Sequence, residues 1–379
     1  MPPPFAAEID LDAIAANVEQ LRRRVGPAEV MAVVKADGYG HGMVPAARAA
    51  LRGGATWLGV AFVEEALGLR RAGIDAPILA WLSSPQTDMT AAAEAGIDVS
   101  VSAPWGLDKA TSAAATSGRP VRVHLEADTG LGRGGAPAGE WSQLCQAAAK
   151  RVADGSIDVI GVWSHLAYAD SPGNPTIAAQ QERFKCALTA AEDAGLNVKV
   201  RHLANSAATL ALPDTHYDLV RPGVAIYGLS PGPAVGTSSG LGLRPAMRLR
   251  ADIALVKRVP PGQGVSYGHR YTTSVETTLA LVPLGYADGV PRNATNVGPV
   301  AVGGRRYTIA GTVCMDQFVV DVGDADVRVG QSAVLFGPGD DEEPTADDWA
   351  AAVGTINYEI VSRVGARVPR LYIGTGSDR

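Results

Sequence analysis

The sequence predicts an N-terminal (β/α)8 barrel followed by a mostly β domain. Three observations carry this. Over roughly the first 240 residues, eight short apolar runs alternate with Ala-rich amphipathic stretches, the pattern of parallel strands joined by helical crossovers. The Pro-, Gly- and Ser-rich segment Ser230–Leu243 then changes the texture, and short β-rich pieces separated by Gly, Pro and Asp turns follow. The rival architecture, an open doubly wound sheet, usually opens on a GxGxxG turn, and Gly38-Tyr-Gly-His-Gly42 lacks that spacing.

The strand candidates are 31–35, 57–62, 77–82, 98–102, 121–127, 159–165, 198–204 and 217–221. Helical runs lie between most of them: Ala46–Arg52, Glu64–Ala72, Thr87–Ala95, Trp105–Ala115, Trp141–Ala153 and Ile177–Ala194. Arg22-Arg23-Arg24 ends a helical pattern and reads as a solvated helix end. The boundary expected at residue 240 divides a barrel, 1–240, from a β domain, 241–379. In the second part Arg248–Val259, Thr277–Pro283, Val300–Ala310, Gln317–Val322 and Ser332–Phe336 read as β pieces. The acidic run Gly337–Asp348 reads as a surface loop, and Thr345–Val353 and Tyr358–Val364 as helices.

Lys plus Arg number 33 and Asp plus Glu 39, a net charge of −6, which argues against a nucleic-acid partner. Three separated cysteines, Cys145, Cys186 and Cys314, show no metal-ligand spacing and suit a reducing cytoplasm. No run approaches the roughly 20 apolar residues of a membrane span, and Met1-Pro-Pro-Pro-Phe5 shows no signal-peptide pattern. A cytoplasmic protein with no metal and no membrane partner is expected.

The chemistry begins at Met31-Ala-Val-Val-Lys35. A lysine ending a buried strand has a partly desolvated amine, which lowers its pKa and makes it a nucleophile toward aldehydes. The implied partner is a carbonyl cofactor, of which pyridoxal 5'-phosphate is the usual one. Reactive groups of a parallel barrel sit at the carboxyl ends of strands, where Arg133, His165, Ser206 and Arg221 also fall. Arg133 is a candidate carboxylate anchor, since a guanidinium binds a carboxylate bidentately. Backbone N–H groups in Arg221-Pro-Gly223-Val224 are candidates to cradle a phosphate. Taken singly, each of these residues reads more simply as structural; five on one rim do not.

Together the motifs resemble the alanine racemase family over essentially the whole chain. The matching elements are Ala32-Val-Val-Lys-Ala-Asp-Gly-Tyr-Gly-His-Gly42, Asp128-Thr-Gly-Leu-Gly-Arg133, Ser164-His165, Asn205-Ser-Ala207, Arg221-Pro-Gly223, Val265-Ser-Tyr-Gly268, Gly285-Tyr-Ala-Asp-Gly289, Cys314-Met-Asp-Gln317 and Asn357-Tyr-Glu359. The resemblance implies a head-to-tail homodimer with composite sites, pyridoxal phosphate held as a Schiff base on Lys35, and D-alanine made for cell-wall peptidoglycan. It assigns the phosphate to Tyr39, Ser206, Gly223, Val224 and Tyr358, and the substrate carboxylate to Arg133 and the Met315 amide. Lys35 and Tyr267 become the two opposed bases, with Tyr267 and Met315 arriving from the other subunit. Tyr286 and Asp316 line the entryway, and His165 and Arg221 form a cationic network beside the phenol.

Arg221 at the ring nitrogen implies a neutral ring, which disfavours the amino-acid decarboxylases of similar plan. A serine or broader-range racemase is a further alternative, as is a non-catalytic cofactor carrier. Glu126 stands where many family members have a carboxylated lysine, seven residues before the anchor. It is expected to bond Arg133 and orient it.

Overall fold

The computed structural model describes residues 3–376. Eight parallel strands form the barrel: Glu29–Val33, Trp57–Val60, Ile78–Ala80, Asp98–Val101, Val121–Glu126, Ile157–Trp163, Val200–His202 and Leu219–Val220. Each overlaps one of the eight expected runs. Consecutive strands are neighbours, and Leu219–Val220 returns to pair beside Glu29–Val33. The last gap closes on a bridge between Asn205 and Arg221 and on the Arg221 N–H donating to the Ala204 carbonyl at 2.8 Å. Strands such as Trp57–Val60 and Asp98–Val101 are buried at every residue, as a sheet covered on both faces requires.

The crossover helices include Met43–Arg52, Val63–Arg71, Pro104–Ser117, Ala138–Ala153 and Pro175–Asp193. Leu11–Val25 precedes the first barrel strand and carries Arg22, Arg23 and Arg24 in its last turn, where cations oppose the negative helix end. Asp10 caps its other end, accepting from the Asp12 and Ala13 amides at 3.0 and 2.9 Å.

The β part contains a six-stranded sheet, a three-stranded sheet and a short hairpin. In the six-stranded sheet the order is Arg305–Thr308, Pro299–Val302, Ser332–Phe336, Met247–Asp252, Phe5–Asp10, Arg370–Ile373. The N-terminal strand Phe5–Asp10, which the sequence places with the barrel segment 1–240, therefore lies inside this sheet. It runs antiparallel to Met247–Asp252 and parallel to Arg370–Ile373, and Arg250 pairs with Glu8 at 2.5 Å.

Arg248–Val259, expected as one piece, is two strands, because the chain leaves the six-stranded sheet after Asp252 and joins the three-stranded one at Leu255. The acidic run is not wholly a surface loop: Glu343 is buried and accepts from Arg248 at 2.8 Å. One continuous apolar core runs from Ala7 through the barrel to Val368. Among the described residues no helix is long and apolar enough to cross a membrane.

Candidate active site

Lys35 lies two residues past its strand rather than on it. It opens a left-handed turn in which Ala36, Asp37, Gly38 and Tyr39 have φ of 53°, 52°, 61° and 53°. For a non-glycine residue this backbone costs about 1–2 kcal/mol, so the turn must be held from outside. Glu65 does so from the next crossover, accepting from the Ala36 amide at 2.7 Å and the Ala61 amide at 2.9 Å. The Asp37 carboxylate accepts from the Met43 amide at 2.8 Å, and the buried His41 ring stacks on Tyr227 at 4.4 Å. Strain concentrated and over-determined at one place marks a functional position.

The Lys35 amine sits 5.5 Å above the Trp81 ring. Burial, and then the Arg133 charge, lower its pKa against the opposing pull of Glu65. This is the desolvated amine expected from the sequence.

Behind it, Gly223 is the meeting point of a polar cradle. The Ser206 hydroxyl accepts from the Gly223 amide at 2.8 Å and lies 3.4 Å from the Ala225 amide. A Cβ on Gly223 would lie 2.3 Å from the Tyr39 hydroxyl, so only glycine fits. Tyr358 packs 6.2 Å from Tyr39 between ring centroids. Burial pushes both phenols well above their ordinary pKa, so they stay donors.

Arg221 is buried beside this cradle. Its Nη2 donates to the Ser164 carbonyl at 2.8 Å and the Leu203 carbonyl at 3.2 Å, and lies 3.3 Å from His165 Nδ1. Burial lowers its pKa to about 9, opposed by Glu126, which leaves it cationic at neutral pH. His165 departs from expectation. Burial, with the Arg221, Arg133 and Lys35 charges, lowers its pKa to about 3. The expected cationic pair is therefore one cation, Arg221, with a neutral imidazole.

Arg133 is exposed on the loop 128–135, which the Asp128 carboxylate shapes by accepting from the Gly130 amide at 2.8 Å and the Gly132 amide at 3.2 Å. Among the described residues Glu126 makes no ion pair or hydrogen bond with Arg133. Its carboxylate is covered by Gly134, where a Cβ would lie 3.0 Å from Oε1. Burial raises its pKa to about 7, against the attraction of Arg221 and Arg133.

Tyr267, Met315, Tyr286 and Asp316 all lie in the β part, and all are exposed. Tyr267 is 75% exposed, and among the described residues its hydroxyl makes no hydrogen bond. Ser266 and His269 flank it at φ of 63° and 43°, and Thr312 donates to the Tyr267 carbonyl at 2.7 Å. Its backbone is thus held while its ring projects. Asp316 accepts from Arg367 at 2.8 Å.

Sequence reasoning missed Glu65, Trp81 and Tyr227, and it missed His124 and His202, which sit on barrel strands. The signal for the histidines was weak: each lies on a short strand that also carries an arginine, Arg122 or Arg201, so neither stands out as a lone polar residue.

Residues 9–231 match the family described as "Alanine racemase, N-terminal domain", and residues 246–372 match "Alanine racemase, C-terminal domain". The chain belongs to the alanine racemase family. It is 64% identical over 367 residues to an alanine racemase of Frankia casuarinae, an alignment covering 97% of this chain and 96% of that protein. It is 60% identical to one of Thermobifida fusca, over 97% of this chain and 98% of the relative. The crystal structure of alanine racemase from D-cycloserine producing Streptomyces lavendulae matches with a TM-score of 0.98 at 55% identity, covering 99% of this chain and 98% of the other. Both parts of the chain fall in the one family, so the Lys35 rim and the Tyr267 hairpin belong to a single architecture.

Proposed function

We propose that this chain interconverts L-alanine and D-alanine in the cytoplasm, with pyridoxal 5'-phosphate as cofactor, and so supplies D-alanine for peptidoglycan. The observation that carries this reading is the Lys35 amine, desolvated and set on a strained turn, beside a cradle of neutral donors and a buried arginine. That donor set fits the cofactor. Tyr39, Tyr358, Ser206 and the Val224 amide offer N–H and O–H groups to a phosphate, and the Gly223 amide, donating to Ser206, orients that hydroxyl. Lys35 offers the amine that captures an aldehyde, and Arg221 offers a donor to a pyridine nitrogen and no acceptor. When bound, the cofactor supplies a carbonyl and a conjugated ring that stabilises negative charge at the substrate Cα.

The chain's own groups then have to move a proton across a plane. Lys35 exchanges the Cα proton on one face, serving D-alanine. The partner subunit's Tyr267 does so on the other face, serving L-alanine. Two bases on opposite faces invert the centre without turning the substrate over. Arg133, with the Met315 amide brought by the partner, holds the substrate carboxylate and fixes which face meets which base. With the cofactor bound, Arg221 would offer an N–H to the ring nitrogen and could take no proton from it, so negative charge would stay nearer Cα and reprotonation there would be favoured.

The exposure of Tyr267, Met315, Tyr286 and Asp316 supports a homodimer in which each β part completes the partner's barrel site. The test is chiral analysis of L-alanine incubated with cofactor-loaded protein. D-alanine should accumulate to equal amounts, and faster than D-serine from L-serine. Failure of the loaded dimer to form D-alanine refutes the reading.

A further inference from the structure

A line of buried polar side chains crosses the barrel from its amino end to the rim. Asp98 opens its strand at the amino end, His124 is mid-strand, His202 closes its strand, and Arg221 follows the eighth strand at the rim. All four are buried. The contacts are Arg221 Nη1 to His202 Nδ1 at 3.1 Å, His202 Nε2 to His124 Nδ1 at 2.9 Å, and His124 Nε2 to Asp98 Oδ2 at 3.1 Å. Arg122 closes the far end, its Nε and Nη2 donating to the two Asp98 oxygens at 2.6 and 3.1 Å.

Only one arrangement of protons satisfies this line. A guanidinium donates and never accepts, so His202 Nδ1 must carry a lone pair. A neutral His202 then bears its proton on Nε2 and donates to His124 Nδ1, which must also carry a lone pair. His124 is therefore protonated on Nε2 and donates to the Asp98 carboxylate. A second proton on either ring would set two N–H groups head to head. The line runs in one direction, from cation to anion.

The surroundings agree. Burial, then the Arg221 charge, hold the His202 pKa well below its ordinary value. Burial pushes the Asp98 carboxyl up, but hydrogen bonds from His124 and Arg122, with the Arg122 charge, outweigh it and keep the group ionised. Arg70 is the other charged group that feels Asp98. Trp163 stacks on His202 at 5.8 Å and lies under Arg221 at 4.9 Å, and the edge of Trp57 meets His124 at 5.7 Å. Both rings are thus packed against an indole as well as hydrogen-bonded.

We propose that Asp98 is a positioning residue for racemisation: at the opposite end of the barrel from Lys35, it fixes the tautomers of His124 and His202 and through them the orientation of the Arg221 guanidinium. This rests on the alanine racemase reading. It makes Arg221 a directed donor, since one of its two terminal nitrogens is committed to His202 and the other to Ser164 and Leu203. Among the described residues the Nε–H and the second Nη1–H are not taken by these partners and remain for the cofactor.

The test uses cofactor-loaded protein labelled with 15N at its six histidines, with ring-nitrogen spectra and racemisation measured on the same samples. In the unmodified protein His124 and His202 should both be neutral and protonated at Nε2 at neutral pH. Asp98→Ala should remove the fixed pattern at His124 and lower kcat roughly tenfold, with KM for L-alanine within about twofold. Asp98→Asn, whose amide oxygen can still accept from His124, should restore the pattern and most of the rate. A cationic His202, or one protonated at Nδ1, in the unmodified protein overturns the proposal without any variant. So does an Asp98→Ala protein with native tautomers and native kcat. Unmodified protein that fails to racemise alanine sinks the functional reading instead, and the ring spectra still decide the proton arrangement.

Discussion

Gly223→Ala tests the phosphate cradle by one methyl group. Gly223 has φ of −105°, outside the left-handed region reserved for glycine, so the substitution acts first through the space its Cβ takes. The new Cβ would stand 2.3 Å from the Tyr39 hydroxyl, where ordinary contact begins at 3.4 Å, so the hydroxyl must retreat by 3.4 − 2.3 = 1.1 Å. The Tyr39 ring has little room to yield, being packed 5.0 Å from Tyr227 and 6.2 Å from Tyr358. A hydroxyl–phosphate bond of about 2.7 Å stretched to about 3.8 Å is no longer a bond. Hydrogen bonds to charged groups contribute about 1.5–3 kcal/mol, so the affinity for pyridoxal phosphate should fall about tenfold to a hundredfold. The assay is a spectroscopic titration of cofactor-free protein, with Tyr39→Phe and the double variant in parallel. The double variant should bind no more weakly than the sum of losses predicts, and the cycle should show coupling between the two sites. Native affinity in Gly223→Ala refutes the cradle.

Three further outcomes follow from the same site. Tyr267→Phe removes a hydroxyl that makes no bond among the described residues, so thermal stability should be unchanged while kcat falls about 10²–10⁴-fold; a native rate removes Tyr267 as a base. Arg221→Glu strips donors from His202, Ser164 and Leu203. It should slow racemisation at least about tenfold and let a long-wavelength absorbance build up during turnover, and an unchanged rate and spectrum count against the ring-nitrogen role. Glu126→Gln concerns pH. Folding raises this carboxyl from 4.5 to about 7, so the folded chain holds the proton more tightly than the unfolded one. The stability it contributes is present below about pH 4.5 and is lost as pH rises through 7. The shift of 7 − 4.5 = 2.5 units corresponds to about 3 kcal/mol, and Tm measured from pH 5 to 8 should fall more for the native protein than for Glu126→Gln. Parallel Tm curves would contradict it.

The barrel was legible because each of its strands is a short apolar run buried on both faces, and because helices of clear amphipathic period separate them. Phe5–Asp10 was not, since Phe-Ala-Ala-Glu-Ile-Asp is too short and too Ala-rich to show a period. Its partners, Met247–Asp252 and Arg370–Ile373, are more than two hundred residues away. Lys35 was found as a strand-end lysine, but its left-handed turn was hidden, because Ala36, Asp37 and Tyr39 carry no local preference for positive φ like that of glycine. Glu65 holds that turn from another crossover, a relation only the folded chain displays. The charge of His165 was likewise beyond local reading. It depends on burial and on three cations drawn from separate loops.

The distribution of charge explains why so many tyrosines surround one lysine. A phosphorylated cofactor and an amino-acid carboxylate are both anions, yet the side chains converging on Gly223 are hydroxyls rather than arginines or lysines. In the proposed reading the cations serve elsewhere: Arg221 toward the ring nitrogen and Arg133 toward the substrate carboxylate. Burial raises the pKa of Tyr39, Tyr227 and Tyr358, so each keeps its proton and has it to donate. A phenol of that kind cannot lend an oxyanion for proton abstraction at neutral pH. Under the proposed two-base reading the reacting phenol therefore lies outside the cradle, and the exposed ring of Tyr267 fits that part.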